Sequence, residues 1–266
     1  MVGKSAVILG SGDIGLIMAR RLTLEGAKVH AVVEIMPHSN GLNRNIVQCL
    51  EDYNIPLYLS HTITDVIGDT RINSVIVSRV DENMKPIKGT EIKFDCDTLL
   101  LSVGLVPENE LSKQAGILID QKTNGAIVTD NMETSVDGIF ACGNVLHVHD
   151  LVDFVTKESQ KAGKNAAQYV KSHNKIEKNI IGVENGDYVT YTVPQKINLN
   201  TDEKIFEIYF RVRKKLENGQ INVIANGEII KSFKREHMAP GEMEKIIITK
   251  EMAEKSREKI KISVSC

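Results

Sequence analysis

Along the first hundred residues, short apolar runs alternate with longer stretches in which apolar positions recur at helical spacing. Ala6 to Leu9 is an unbroken apolar run and predicts a buried strand. Leu16 to Leu24 carries apolar residues at 16, 17, 18, 22 and 24 with Arg20 and Arg21 between them, and Gly26 is placed as a C-cap, so a helix is predicted there. Ala27 to Val33 reads as a second strand, Leu42 to Tyr53 as a second helix and Leu57 to Thr62 as a third strand. The pattern then changes. Ile63 to Ile67, Ile72 to Val80 and Glu91 to Phe94 are short alternating strands, separated by turn chemistry at Gly68-Asp69 and from Pro86 to Gly89. This antiparallel meander precedes a last core strand, Thr98 to Val103, which Gly104 ends, and Pro107 opens a short helix.

Beyond that point Ile127 to Thr129 and Gly138 to Ala141 read as short strands and Leu151 to Val170 as a helix, followed by a linker from His173 to Lys178. The tail is β-rich. Ile205 to Arg213 alternates Phe206, Ile208, Phe210 and Val212 with Glu207, Tyr209, Arg211 and Arg213, which sends one face into a core and the other into water. Gln220 to Ala225 and Glu228 to Phe233 flank Asn226-Gly227, a pair suited to the positive φ angles of a tight hairpin. Lys245 to Thr249 and Lys259 to Val264 complete a small sandwich. The expected organisation is α/β: a Rossmann-type unit over 1–104 with a meander crossover, a segment over 105–172, and an all-β sandwich-like domain over 176–266.

Composition narrows the classes. The chain has 266 residues, 42% hydrophobic and 26% charged, with a formal net charge of -2, which suits a globular protein and gives no broad nucleic-acid surface. No run approaches the ~18 apolar residues of a membrane span, and the first apolar run is too short for a signal peptide, so a cytoplasmic location is expected. Cys49, Cys96, Cys142 and Cys266 are far apart and include no C-x-x-C pair, which predicts inert thiols. Lys231, Lys234, Arg235 and His237 form a basic strand edge, read as a solvated edge that resists further pairing.

The candidate chemistry begins at Gly10-Ser11-Gly12-Asp13-Ile14-Gly15, directly after the first strand. Gly10 allows a tight turn, Gly12 lets the backbone approach a pyrophosphate, and Gly15 brings the helix close to the strand. An anion would then sit at the helix N-terminus, held by unpaired N–H groups and the macrodipole. Three glycines at fixed spacing arise by chance in roughly one chain in ten. Context therefore has to carry the motif: a strand precedes it, a helix follows it, and Glu34 ends the second strand 19 residues beyond Gly15, where an acid accepts hydrogen bonds from a ribose 2'-OH.

These features, the meander, Thr98-Leu-Leu-Leu-Ser-Val-Gly-Leu-Val-Pro107 and Asp137-Gly-Ile-Phe-Ala-Cys-Gly-Asn144 occur in an order that resembles the pyridine nucleotide-disulfide oxidoreductase-like flavoproteins. The resemblance spans roughly residues 1 to 172. It implies an NADH-linked, FAD-associated oxidoreductase in which a hydride passes between nicotinamide and flavin. Gly10, Ser11, Gly12, Asp13, Ile14, Gly15 and Glu34 are the expected contacts to NAD(H), Gly143 and Asn144 those to FAD, and Gly104 is a further expected cofactor contact. Many relatives have Asp where Asn144 stands; an amide still accepts from a ribityl hydroxyl and also donates.

The resemblance also implies that the first half of the FAD domain would precede Gly3, so the chain is expected to be the C-terminal part of a longer oxidoreductase or a subunit completed by another polypeptide. An apolar face so exposed would favour a homo-oligomer or a partner. The alternative is a non-catalytic nucleotide-binding or interaction module that docks a partner subunit. No general acid or base is assigned. His147, His149, Asp150 and Asp153 crowd one stretch, but an H-x-H-D run has no fixed metal signature, so no metal is expected and Asp150 is assigned as a helix cap.

Overall fold

The structure, a computed structural model, describes residues 3–172, 178–256 and 258–265. The chain divides into two compact units, Met1–Gly104 and Leu105–Cys266. The first is built on a parallel sheet of β1 (Ser5–Leu9), β2 (Lys28–Glu34), β3 (Leu57–Leu59) and β7 (Thr98–Leu101), ordered β3-β2-β1-β7. Helices α1 (Asp13–Leu24) and α2 (Asn43–Cys49) cover one face of it. There Ile8 and Val32 pack with Leu16, Ala19, Cys49 and Leu50. The other face meets the antiparallel meander β4 (His61–Gly68), β5 (Ile72–Arg79) and β6 (Ile92–Asp95), where Val7, Ala31 and Val33 pack against Val75 and Val77. Alternate residues of β1 and β2 thus enter opposite cores. A parallel sheet needs both faces covered, which explains why its strands read as unbroken apolar runs.

The predicted helix over Leu42 to Tyr53 is interrupted. It forms α2, then a single 3-10 turn over Glu51–Tyr53 that ends at Asn54 with φ 52°. Asparagine tolerates that left-handed conformation, and the turn lets Ile55 enter the core beside Leu50.

The second unit contains α3 (Glu110–Gln114), α4 (Val152–Ser172), α5 (Lys250–Glu254) and two sheets. One sheet joins β8 (Ile180–Asn185), β10 (Lys196–Asn198), β12 (Leu216–Ala225), β13 (Glu228–Met238) and β15 (Lys259–Ser265) in the order β10-β8-β15-β12-β13. The other joins β9 (Val189–Val193), β11 (Ile205–Val212) and β14 (Glu244–Thr249) in the order β14-β11-β9. Phe206, Ile208, Phe210 and Val212 enter one core with Ile221, Val223, Ile260 and Ile262, as the alternation in β11 predicts. Asn226 and Gly227 turn with φ 51° and 87° between β12 and β13, and the basic residues of β13 lie on a sheet edge.

The short strands predicted at 127–129 and 138–141 do not form. Among the described residues only isolated bridges occur there, Thr129 with Lys196 and Glu133 with Phe140, beside one of Ile119 with Ala126. Side chains take the backbone's place in this segment: Asp120 Oδ1 accepts from the N–H groups of Lys122 and Thr123, Asn131 Oδ1 from Glu133 N–H, and Thr134 Oγ1 from Val136 N–H. The segment is also tied to the tail. Val128 N–H donates to Gln195 Oε1, Asn198 N–H to Asp130 Oδ1, and Tyr191 and Val193 share a core with Ile117, Val128 and Leu146. Most of the predicted linker, residues 173–177, and Cys266 lie outside the described residues. Cys49 and Cys96 are buried free thiols whose pKa burial raises, and Cys142 is half-buried.

Candidate functional site: a glycine loop and a histidine-lined turn

The first unit brings the glycine loop, the end of β7 and Glu34 together. Gly10 has φ 101°, and a Cβ there would stand 2.0 Å from the carbonyl oxygen of Ser102. A Cβ on Gly15 would stand 2.5 Å from Gly10 O and 2.9 Å from Ser102 Oγ. Both glycines are therefore required by the protein's own packing. Gly12 is different: its backbone is extended, and a Cβ there would meet no described atom within 4 Å. Gly12 is also the N-cap of α1, and no side chain caps that end among the described residues. Ile14 in the first turn is 69% exposed. An anion-binding helix terminus bordered by a residue without a side chain is what a pyrophosphate needs.

Glu34 stands beside the loop, but its carboxylate is not bare. Ser11 N–H (3.0 Å) and Ser11 Oγ (2.6 Å) donate to Oε2, and Met36 N–H (3.0 Å) donates to Oε1. A carboxylate has about four acceptor sites, so about one is left for a ribose hydroxyl. Ser11 itself is fully buried, and its N–H and Oγ both turn to Glu34. Asp13 Oδ1 accepts from Leu42 N–H (2.8 Å) and Asn45 Nδ2 (2.7 Å), and so pins the start of α2 to the start of α1. Sequence reasoning missed both links, because each joins residues more than twenty positions apart.

In the second unit, Gly143 and Asn144 open a short 3-10 turn before α4. Asn144 is exposed, and its Oδ1 accepts from His149 N–H at 3.1 Å. Gly143 N–H donates to Glu158 Oε2, as part of a buried cluster. His147 Nε2 lies 3.3 Å from Glu158 Oε1 and His149 Nε2 lies 3.1 Å from Oε2, with the two imidazole rings 4.2 Å apart. Burial alone would raise the Glu158 pKa; hydrogen bonds from His147 and His149 outweigh it and hold the carboxyl down at about 2. Burial lowers the His147 pKa, so its ring is neutral at pH 7 and donates through Nε2 to the ionised acid.

The expected cap at Asp150 is corrected by this geometry. Its Oδ1 is bonded to Arg211 and its Oδ2 accepts from Met243 N–H at 2.6 Å. Arg211 also donates to Tyr191 Oη and to the carbonyl of Val148, so Asp150 serves as the counter-charge of a largely buried guanidinium. Glu158 carries no signal in the sequence. It is one polar residue in a long amphipathic helix.

A twisted parallel sheet with a glycine loop at the end of its first strand and an acid at the end of its second defines a Rossmann-type dinucleotide-binding unit. The pattern of the family described as pyridine nucleotide-disulphide oxidoreductase matches residues 1–168, and the chain belongs to that family. It is 29% identical over 187 residues to an NADH oxidase of Methanocaldococcus jannaschii, a match covering 68% of this chain and 38% of that protein. It is 32% identical over 152 residues to a mitochondrial dihydrolipoyl dehydrogenase of Caenorhabditis elegans, covering 54% of this chain and 29% of the relative. The crystal structure of T. acidophilum thioredoxin reductase resembles it with a TM-score of 0.55 at 25% identity, over 64% of this chain and 53% of that one. The chain thus spans well under two thirds of these relatives. The sheets that begin at Ile180 lie outside the family match. No helix among the described residues is long and apolar enough to cross a membrane.

Proposed function

We propose that this chain is the NAD(H)-binding part, with one segment of the FAD-binding part, of an NADH-linked flavin oxidoreductase. The observation that carries the reading is Gly12. Packing demands glycine at 10 and 15 but not at 12, where the missing side chain leaves the loop open to a ligand. In this reading the loop from Gly10 to Gly15 and the uncapped terminus of α1 hold the pyrophosphate, and Glu34 faces the adenine-side ribose. Gly104 ends the unit beyond β7, and Gly143 and Asn144 supply the flavin contacts of this stretch. When bound, the two cofactors supply the hydride donor and acceptor; the protein supplies position and electrostatics. Polypeptide beyond these residues, in the same chain or a partner, would complete the flavin site, in keeping with the greater length of the relatives. The free buried thiols suit a reducing, cytoplasmic setting.

The test is calorimetric titration of the purified chain with NADH and, separately, with FAD. Saturable NADH binding together with FAD binding that is weak or absent supports the reading, because the rest of the flavin site lies beyond these residues. No NADH binding, or one FAD held tightly by these residues alone, would contradict it.

A further inference from the structure

His147 and His149 come from the turn that carries Gly143 and Asn144, and Glu158 comes from α4, yet their ligating atoms all lie within 4.8 Å of one another. The side chains of His147 and His149 are each 1% exposed and that of Glu158 is 5% exposed. A histidine kept for packing alone has both ring nitrogens answered in most cores. Here the Nδ1 atoms of both rings are buried and have no hydrogen-bond partner among the described residues. The cluster is therefore not a closed polar network. One carboxylate serves Gly143 N–H and two imidazoles, and two ring nitrogens are left over.

The spacing fits a different occupant. Around a tetrahedral ion with metal–nitrogen distances of about 2.0–2.1 Å, neighbouring ligand atoms stand about 3.3 Å apart. His147 Nε2 stands 3.3 Å from Glu158 Oε1 and His149 Nε2 3.1 Å from Oε2, so whichever oxygen serves as the ligand has one imidazole at that spacing, and one ligand atom from each of the three residues lies within 4.8 Å of the others. Charge points the same way, because Arg211, which also lines the adjoining cavity, is paired with Asp150, and the Glu158 carboxylate is answered by Gly143 N–H and two imidazoles. A cavity of about 220 Å³ lined by His147, Tyr191, Arg211, Thr123 and Asn124 adjoins the cluster and gives water a route to it.

We infer that His147, His149 and Glu158 bind one divalent transition ion, each giving one ligand, with solvent completing the shell. Imidazole nitrogen with carboxylate oxygen suits Zn²⁺ or Fe²⁺, whereas Mg²⁺ and Ca²⁺ favour all-oxygen sites. Because its ligands come from the turn and from α4, the ion clamps the turn that bears Gly143 and Asn144 against that helix.

The experiment uses the full chain stripped with a chelator and titrated with Co²⁺, followed by its ligand-field absorption, and with Zn²⁺ and Mg²⁺ by calorimetry. One Co²⁺ or Zn²⁺ per chain with micromolar or tighter affinity, a higher melting temperature in its presence and no saturable Mg²⁺ binding are expected. Changes in outer partners of metal ligands cost about 10–100-fold in affinity, so Glu158→Gln and His149→Gln, which remove ligands, should each weaken Zn²⁺ by at least about a hundredfold. Absence of saturable binding to the folded wild-type chain overturns the inference whatever the variants do. So does Zn²⁺ affinity that is unchanged in a variant retaining the wild-type circular dichroism.

Discussion

Two buried glutamates organise the two units in opposite ways. Glu34 is answered within the protein by three donors, all from Ser11 and Met36, and leaves none of them orphaned. Glu158 is answered by Gly143 and two histidines that each keep an unpartnered nitrogen. The first arrangement is finished before any ligand arrives, and so can act as a rigid wall. The second leaves two ring nitrogens without a hydrogen-bond partner among the described residues. Pre-organisation and an open cluster are different routes to a binding site: Glu34→Ala breaks the first, and Glu158→Gln with the Zn²⁺ titration probes the second.

The largest effect is expected where the loop's shape depends on packing. Gly10→Ala puts a Cβ into the Ser102 carbonyl at a positive φ, and should destabilise the first unit by about 3 kcal/mol, combining overpacking with left-handed strain. Denaturant unfolding reads this directly. Glu34→Ala comes next: it strands the Ser11 and Met36 N–H groups, for a loss of about 2 kcal/mol. It also bears on cofactor choice. Two unit charges about 4 Å apart interact by roughly 4 kcal/mol at an effective dielectric near 20, and solvent screening reduces this. The wild type should therefore prefer NAD(H) to NADP(H) on the order of tenfold to a hundredfold, and Glu34→Gln should narrow the gap in calorimetric titrations.

A smaller effect tests a third buried acid. Burial raises the Asp130 pKa, against the hydrogen bond from Asn198 N–H and the attraction of Lys161. A raised acid binds its proton more tightly in the folded state than in the unfolded state, so its contribution favours folding below the unfolded pKa. That contribution is lost as pH rises from there through the folded pKa. Asp130→Asn keeps an acceptor for Asn198 and should be more stable than wild type by about 1 kcal/mol at pH 7, with the gain fading as pH falls through the raised folded pKa and gone below about pH 4. Thermal melts across that range check it. The smallest effect is Asn226→Ala, which forces alanine to φ 51° at the β12–β13 hairpin and should cost about 1 kcal/mol or less.

The same contrast explains what could be read from the sequence. The glycine loop, its strand and Glu34 are encoded by neighbours and by periodicity, so the core of the first unit was legible down to the meander that replaces a helix. The alternation in β11 and the Asn226-Gly227 turn were legible for the same reason. In the expected strands at 127–129 and 138–141 side chains take backbone groups from a ladder, Gln195 Oε1 accepting from Val128 N–H and Glu133 Oε1 from Gly138 N–H, a competition that apolar patterning does not register. Asp150 looked like a cap because its partner, Arg211, is 61 residues away. Glu158 was invisible for the same reason in reverse: only the packing of α4 on the preceding turn gives one acid two histidines.

Gly12→Val tests the central reading most directly. The extended backbone at Gly12 accepts any L-residue, and its Cβ has room, so the variant should melt within a few degrees of wild type, a shift worth about 1 kcal/mol or less. NADH titrated into the two proteins should bind the wild type and bind the variant at least about tenfold more weakly, because the new side chain occupies the phosphate approach. Undiminished affinity in a folded Gly12→Val protein would place the nucleotide somewhere other than this loop.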